Sequence, residues 1–123
     1  MPTKDQHYKK SKKNIDFYED VVDLHPDWAV TGLFYAALHL VDAWLATKTI
    51  TAVQHPERHE FRVNMIGKLS ELKPIYSNYR MLQDYGHRAR YKMDAFSKEN
   101  VRDTRKTVFD PIQKEIETLL GKS

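Results

Sequence analysis

The chain contains no cysteine and only four glycines among its 123 residues. The lack of cysteine excludes disulfide bonds, thiolate nucleophiles and cysteine-ligated zinc sites. No apolar segment follows the first lysines, and the sequence has no uninterrupted run of about 18 apolar residues, the length a membrane span needs. We therefore expect neither a signal peptide nor a membrane span, and we expect the protein to be cytoplasmic.

Positive and negative charges are unevenly distributed, although the net charge is only +3. Residues 1–13 carry five lysines against one acid, and residues 15–57 carry seven acids against one base. Residues 58–106 carry twelve bases against six acids. A basic side formed by these blocks suits a polyanion such as RNA or DNA. The alternative is that surface lysines and arginines only keep the protein soluble.

Apolar residues recur at intervals of three and four along five segments, which predicts an all-α chain. The expected helices begin near Asp5, Asp27 (as an N-cap), Pro56, Pro74 and Ser97. A glycine at the end of the last segment is expected to form its C-terminal cap. We expect residues 1–123 to form one domain, an up-and-down bundle of four to five helices, with the basic residues 1–13 fraying at the N-terminus.

The second segment, WAVTGLFYAALHLVDAWLA, is the most apolar part of the chain and is expected to form the central core helix. His39 and Asp42 interrupt it, so it is expected to be too short and too polar to span a membrane. Tyr35, His39 and Asp42 lie on one flank because they are four and three residues apart. They form either a hydrogen-bonded structural network or the lining of a pocket.

The segment HPERHEFR contains His55 and His59, four residues apart, with Arg62 one turn later. A zinc site needs at least three ligands, and the sequence places no third one, so we expect no metal site. His59 and Arg62 together are suited to an anion, since arginine clamps it and histidine is a titratable donor. They are otherwise two exposed residues of an amphipathic helix. The expected buried residues of this third helix are Phe61, Met65 and Leu69.

The segment YRMLQDYGHRARY places Arg80 and His87 seven residues apart. In an unbroken helix they share one face, about 10 Å apart along the axis, although Gly86 weakens the helix there. Metal-free RNA cleavage requires two groups, a histidine that moves a proton and a cation that stabilises the charged phosphorane. The same two residues are otherwise part of a solvated helix face.

Arg88, Arg90 and Tyr91 follow in the same segment. Arginine interleaved with tyrosine suits phosphate contacts and stacking on bases. The tyrosines of this helix equally suit the core or a dimer contact.

Taken together, the segments DWAVTGLFYAALHLVDAWLA, HPERHEFR and YRMLQDYGHRARY resemble HEPN-like small helical proteins over most of residues 15–120. The resemblance implies a helical bundle, often a homodimer, with defence, toxin–antitoxin or RNA-processing roles. Catalytic members carry an Arg-x(4–6)-His motif that cleaves RNA without metal across a dimer interface. Carried onto this chain, the motif falls on Arg80 and His87. Met81 departs from it, because catalytic members carry a small polar residue after the arginine.

The resemblance also marks a subgroup by five positions, which are His39, His59, Arg62, Arg90 and Tyr91. We therefore expect an RNA-binding protein without a cofactor, in which Arg80 and His87 are the catalytic pair if it is a metal-independent endoribonuclease. The expected partners are RNA, a second copy of the chain, and an antitoxin or another protein. The alternative is a non-catalytic homodimeric interaction module whose Tyr/His/Arg cluster is structural or binds a small anion.

Overall fold

The computed structural model describes residues 2–48, 59–92 and 95–121. Its helices are α1 (Lys4–Val21), α2 (Pro26–Leu45), α3 (His59–Lys68), α4 (Tyr76–Tyr91), α5 (Lys98–Thr104) and α6 (Asp110–Leu119). A 3-10 turn, Lys73–Ile75, precedes α4, and a π-helical segment, Arg105–Phe109, joins α5 to α6. These ranges contain no strand, so the expected all-α helical bundle is confirmed.

Helix α1 starts with a reciprocal cap. The Thr3 hydroxyl accepts a hydrogen bond from the Gln6 N–H at 3.2 Å, and the Gln6 side chain accepts one from the Thr3 N–H at 2.8 Å. His7 and Ser11 are buried in the turns that follow. The segment expected to fray is therefore helical from Lys4 onward, because it is both capped and packed.

Helix α2 is the centre of the bundle, and 15 of its 20 residues are buried. Pro26 occupies its first turn and His25 its N-cap position, so the expectation that Asp27 caps it is wrong. Proline fits there because the first helical N–H has no partner within the helix. The expectation that α2 is too short and too polar to cross a membrane is wrong, because its length and composition would allow it. However, 83% of its most apolar stretch of 18 residues is buried inside the bundle. That burial is typical of the core helix of a soluble protein.

Small residues on α2 and α4 bring the helices into close contact. A Cβ atom at Gly32 of α2 would lie 2.9 Å from the Phe17 ring of α1. A Cβ atom at Gly86 of α4 would lie 3.1 Å from Phe34 Cβ of α2. Helix α4 continues unbroken through Gly86, which is buried against α2.

The buried face of α3 differs from the expected one. Phe61 is 40% exposed, whereas Arg62 and Ile66 are buried. The apolar pattern failed here because Arg62 enters the core to pair with Asp42 of α2, which rotates the helix away from Phe61. In α4, by contrast, the apolar pattern holds, because Tyr79 and Leu82, three residues apart, are both buried.

The C-terminal segment runs antiparallel to α1. Three ion pairs join it to α1 and to the turn that follows α1, which are Lys12–Glu117, Glu19–Arg105 and Asp23–Arg102. The π-helical part of the segment adjoins Pro111, which has no N–H to donate to the preceding turn. The wider turn lets the helix continue past this proline. Gly121 has φ 77° after the end of α6, so the expected C-terminal cap is confirmed.

Candidate functional site

A cavity of about 410 Å³ opens beside α3 and α4, and Phe34 of α2 contributes to its lining. Four side chains that the sequence analysis singled out line it together, which are His59, Arg80, His87 and Arg90. Three of them lie on one face of α4, since 80, 87 and 90 are separated by seven and three residues. The pocket therefore unites residues of two sequence segments that the spacing alone could not bring together.

Arg90 lies against aromatic rings in this pocket. Its guanidinium carbon is 5.6 Å from the ring centroid of Phe34 and 5.3 Å from those of Tyr35 and Tyr91. Its Nε and Nη1 atoms are buried and have no hydrogen-bond partner among the described residues. Each buried, unpaired donor costs on the order of 1–3 kcal/mol. An anion in the pocket would provide the missing acceptors, while the rings hold the cation in place.

His59 is held in a neutral form. Burial lowers its pKa, and the positive charges of Arg62 and Arg90 lower it further. Its Nδ1 atom lies 3.5 Å from Arg62 Nη1. Because arginine only donates hydrogen bonds, Nδ1 must accept, which leaves the histidine proton on Nε2. At neutral pH His59 is therefore an uncharged hydrogen-bond donor.

Arg80 and His87 lie about 10.5 Å apart along the axis of α4, as an unbroken helix requires. Arg80 Nη1 lies 3.4 Å from the Tyr76 hydroxyl, and its guanidinium carbon is 5.6 Å from that ring. The ring centroids of His87 and Tyr91 are 5.0 Å apart. Tyr91 itself is 69% exposed, so it borders the site from the solvent side.

Arg62 lies in the core and outside the pocket lining. Its Nε and Nη2 atoms donate to the two carboxylate oxygens of Asp42 at 2.8 and 2.9 Å, and the residue is 4% exposed. Such a bidentate pair satisfies the guanidinium from within the protein. The structure therefore favours the structural alternative for Arg62, which adjoins the pocket through its contact with His59.

His39 faces α1 and not the pocket. Its Nδ1 atom is 3.2 Å from Nδ1 of His7, and both line a second cavity, of about 560 Å³, together with Gln6 and Lys10. Asp42 turns instead toward Arg62. The three polar residues of this α2 flank thus belong to different environments and do not form one cluster.

Acid should destabilise the fold through His39. Burial lowers its pKa to about 4, and the charge of His7 contributes to the shift. Between about pH 6.5 and 4 the unfolded chain holds a proton that the folded chain has lost, so unfolding becomes easier as the pH falls. We expect a loss of about 1–2 kcal/mol over this window, since His39 is partly exposed to solvent.

Urea unfolding at several pH values tests this expectation, with His39→Gln as the comparison. The variant has no titrating group at this position, so its stability should fall less over the same window. Equal pH dependence of the two proteins would contradict the role of His39. His25→Gln is the control, because His25 is an exposed histidine.

Arg88 lies outside the pocket lining. It pairs with the exposed Asp84 one turn earlier at 3.4 Å, and its guanidinium carbon is 6.0 Å from the Tyr85 ring. Arg88 and Tyr85 line a separate depression near Phe96. Arg88 can therefore contact only a ligand that extends beyond the pocket.

Within the described part of the chain, no three metal-ligating side chains come together. His55, the other half of the His55–His59 spacing, lies outside the described residues.

Sequence reasoning missed several pocket residues, including Glu60, Asn64, Gln83 and Asp84. Gln83 and Asp84 could have been predicted from the sequence, because they lie three and four residues after Arg80 on the same helix face. Glu60 and Asn64 could not, because the orientation of α3 depends on the burial of Arg62.

A scan against protein-family models and searches of curated proteins and of solved structures found no match to this chain.

Proposed function

We propose that the protein is a HEPN-like RNA-binding protein whose pocket at α3 and α4 receives a phosphate of RNA. The observation that carries the proposal is the convergence of Arg80, His87, Arg90 and His59 on one cavity. Arginine supplies permanently charged planar donors that match phosphate oxygens. Arg90 in particular has two buried donors that an oxyanion would satisfy.

The carboxylates near the pocket do not contradict an anionic ligand. Glu60 and Asp84 both contribute to the lining, but Asp84 is paired with Arg88. Its charge is thereby partly offset on the side away from the cavity. The neutral His59 adds a hydrogen-bond donor to the pocket. Because it is uncharged, it does not add the free-energy cost of removing another charge from water.

The finer proposal is metal-independent cleavage of RNA. His87 removes the proton of a 2′-hydroxyl, whose oxygen attacks the adjacent phosphorus, or returns a proton to the leaving 5′-oxygen as that bond breaks. Arg80 stabilises the negative charge of the phosphorane, and the product is a cyclic phosphate. Tyr91, next to the His87 ring, would position the histidine. We propose this activity for a cytoplasmic defence, toxin–antitoxin or RNA-processing system.

The test is an assay on a mixture of labelled RNAs with EDTA present, in which both anisotropy and cleavage are followed. It compares the wild type with Arg80→Ala, His87→Ala and His59→Ala. Lys114→Ala is the control, since Lys114 is an exposed cation of α6 away from the pocket. We expect cyclic-phosphate ends that Arg80→Ala and His87→Ala abolish. Both variants should keep their stability within about 1 kcal/mol, as exposed positions do.

Each result is informative. If Arg80→Ala weakens RNA binding and the wild type does not cleave RNA, the RNA-binding proposal stands and the nuclease proposal is rejected. Loss of cleavage only in His59→Ala would move the catalytic histidine to α3. If the folded wild type neither binds nor cleaves RNA, the RNA proposal is wrong.

A second candidate function is a non-catalytic interaction module. The Asp42–Arg62 pair favours it, because part of the predicted Tyr/His/Arg cluster is already satisfied inside the core. In this case the pocket binds a small anion or a partner's carboxylate. This candidate would be supported if inorganic phosphate bound the wild type as tightly as RNA does.

A further inference from the structure

A second depression, of about 300 Å³, is lined by residues of α4, of α5 and of the segment between them. Tyr85 and Arg88 of α4 contribute to the lining, and so do Phe96, which precedes α5, and Asn100 of α5. We call it the aromatic depression. Its volume is at the lower end of the range for ligand cavities, about 300–1,000 Å³, and so suits one small planar group.

Two aromatic rings form the apolar surface of the aromatic depression. The ring centroids of Tyr85 and Phe96 are 6.4 Å apart, and the ring planes make an angle of 71°. In this edge-to-face arrangement the two rings do not stack on each other. Both side chains pack partly against the core, and part of each remains exposed. Aromatic surface that is held in place and still accessible is a platform on which a base can stack.

The charges around the aromatic depression do not favour an anion. Among the described residues that line it, Arg88 is the only cation, and its charge is partly offset by Asp84 at 3.4 Å. Asp103 adds an exposed carboxylate to the lining, which repels phosphate. The Asn100 amide and the Asp103 carboxylate can instead form hydrogen bonds with the edge of a base. The depression therefore suits an uncharged nucleobase and not a phosphate group.

The aromatic depression adjoins the pocket at α3 and α4. Asp84 lines the pocket, and Arg88, one turn later on α4, lines the depression. Because these two side chains are paired at 3.4 Å, the two cavities share them as a border. His87, the residue before Arg88, also lines the pocket. A strand that places a phosphate in the pocket can therefore continue across α4 and place a base in the depression.

We propose that the aromatic depression is a second subsite, in which a base of single-stranded RNA stacks on Phe96 and Tyr85. This inference rests on the proposed function, because the same strand is held by a phosphate in the pocket. It extends that function by requiring a ligand with bases, since a chain of phosphates alone does not fill both cavities. A base in a duplex is already stacked and paired, so the subsite selects a single strand.

The test compares two ligands that carry the same number of phosphates, about ten, which is within the range of single-strand binding sites. One is 2′-O-methyl oligoadenylate, whose blocked 2′-oxygen prevents cleavage, and the other is inorganic polyphosphate, which has no base. Isothermal titration calorimetry measures both affinities for the wild type and for Phe96→Leu, which removes the ring and keeps an apolar side chain. We expect Phe96→Leu to bind oligoadenylate about 10-fold more weakly and polyphosphate as tightly as the wild type does.

Nuclear magnetic resonance gives a measurement that a purely structural role of Phe96 would not affect. The chain contains five phenylalanines, and the ring signals of Phe96 are identified by their absence in Phe96→Leu. A base that stacks on the ring should shift these signals when oligoadenylate is added to the wild type. Polyphosphate should leave them unchanged.

Two further variants complete the comparison. Asn100→Ala changes the lining without changing the core, because Asn100 is exposed, and it should weaken the binding of oligoadenylate but not of polyphosphate. If Phe96→Leu does not fold, Asn100→Ala decides the question. Phe17→Leu is the matched control, since Phe17 is 41% exposed and lines neither cavity. It should bind both ligands as the wild type does.

The possible results separate the subsite from the proposed function. If the wild type binds both ligands and neither Phe96→Leu nor Asn100→Ala changes the ratio of the two affinities, the subsite is wrong and the phosphate site in the pocket stands. Equal weakening toward both ligands in Phe96→Leu would assign Phe96 to the structure and overturn the subsite. If the folded wild type binds neither ligand, the proposed function fails and the subsite fails with it.

Discussion

Asp42→Ala is expected to lower the free energy of unfolding by about 3–5 kcal/mol, the largest single effect on stability among the changes considered for this protein. The substitution removes the carboxylate that accepts two hydrogen bonds from Arg62, at 2.8 and 2.9 Å. The Arg62 guanidinium would then be charged and without its counter-ion at a position that is 4% exposed. Urea unfolding monitored by circular dichroism measures the loss.

Two comparisons separate this mechanism from a general loss of packing. Asp84→Ala breaks the exposed Asp84–Arg88 pair, at 3.4 Å, and should cost no more than about 0.5 kcal/mol. Asp42→Leu combined with Arg62→Met removes both charges, and it should recover most of the stability lost in Asp42→Ala. A loss below about 1 kcal/mol in Asp42→Ala would show that solvent reaches the arginine in the core.

Arg90→Met is expected to weaken RNA binding by about 10–100-fold, the largest expected effect on affinity, because it removes charged donors from the pocket. Stability should change by less than about 1 kcal/mol. Methionine keeps the contact with the rings of Phe34 and Tyr35, and it no longer buries the two unpaired nitrogens. Removing the free-energy cost of those two unpaired donors offsets the loss of the cation–π contacts.

Fluorescence anisotropy with labelled RNA and urea unfolding, carried out on the same samples, measure both quantities. Arg102→Met is the matched control, because Arg102 pairs with Asp23 and does not line the pocket. Its affinity for RNA should remain close to that of the wild type. An unchanged affinity in Arg90→Met would remove Arg90 from the binding site. A large fall in stability would instead assign Arg90 to the structure of the bundle.

The sequence predicted the pocket only in part. The seven-residue spacing of Arg80 and His87 correctly placed both on one face of α4, because α4 is an unbroken helix. The same reasoning placed His39 and Asp42 together on one flank of α2, although His39 contacts His7 and Asp42 contacts Arg62. Helical spacing relates residues within one helix and says nothing about which neighbouring helix each side chain meets.

The HEPN resemblance and the activity that it implies stay predictions, and the RNA assay tests the activity. The expected contribution of Arg90 to binding does not depend on the resemblance, since it starts from the two buried donors of Arg90.

By itself, the sequence determined the all-α class, the central position of α2 and the inward faces of α1 and α4. These features follow from the periodicity of apolar residues, such as Ile15, Tyr18 and Val22, because burial of apolar surface outweighs other local preferences. Only the tertiary structure decided the rotation of α3 and the surroundings of Arg90. There a buried ion pair overrides the apolar pattern, and aromatic rings from different helices meet around one cation.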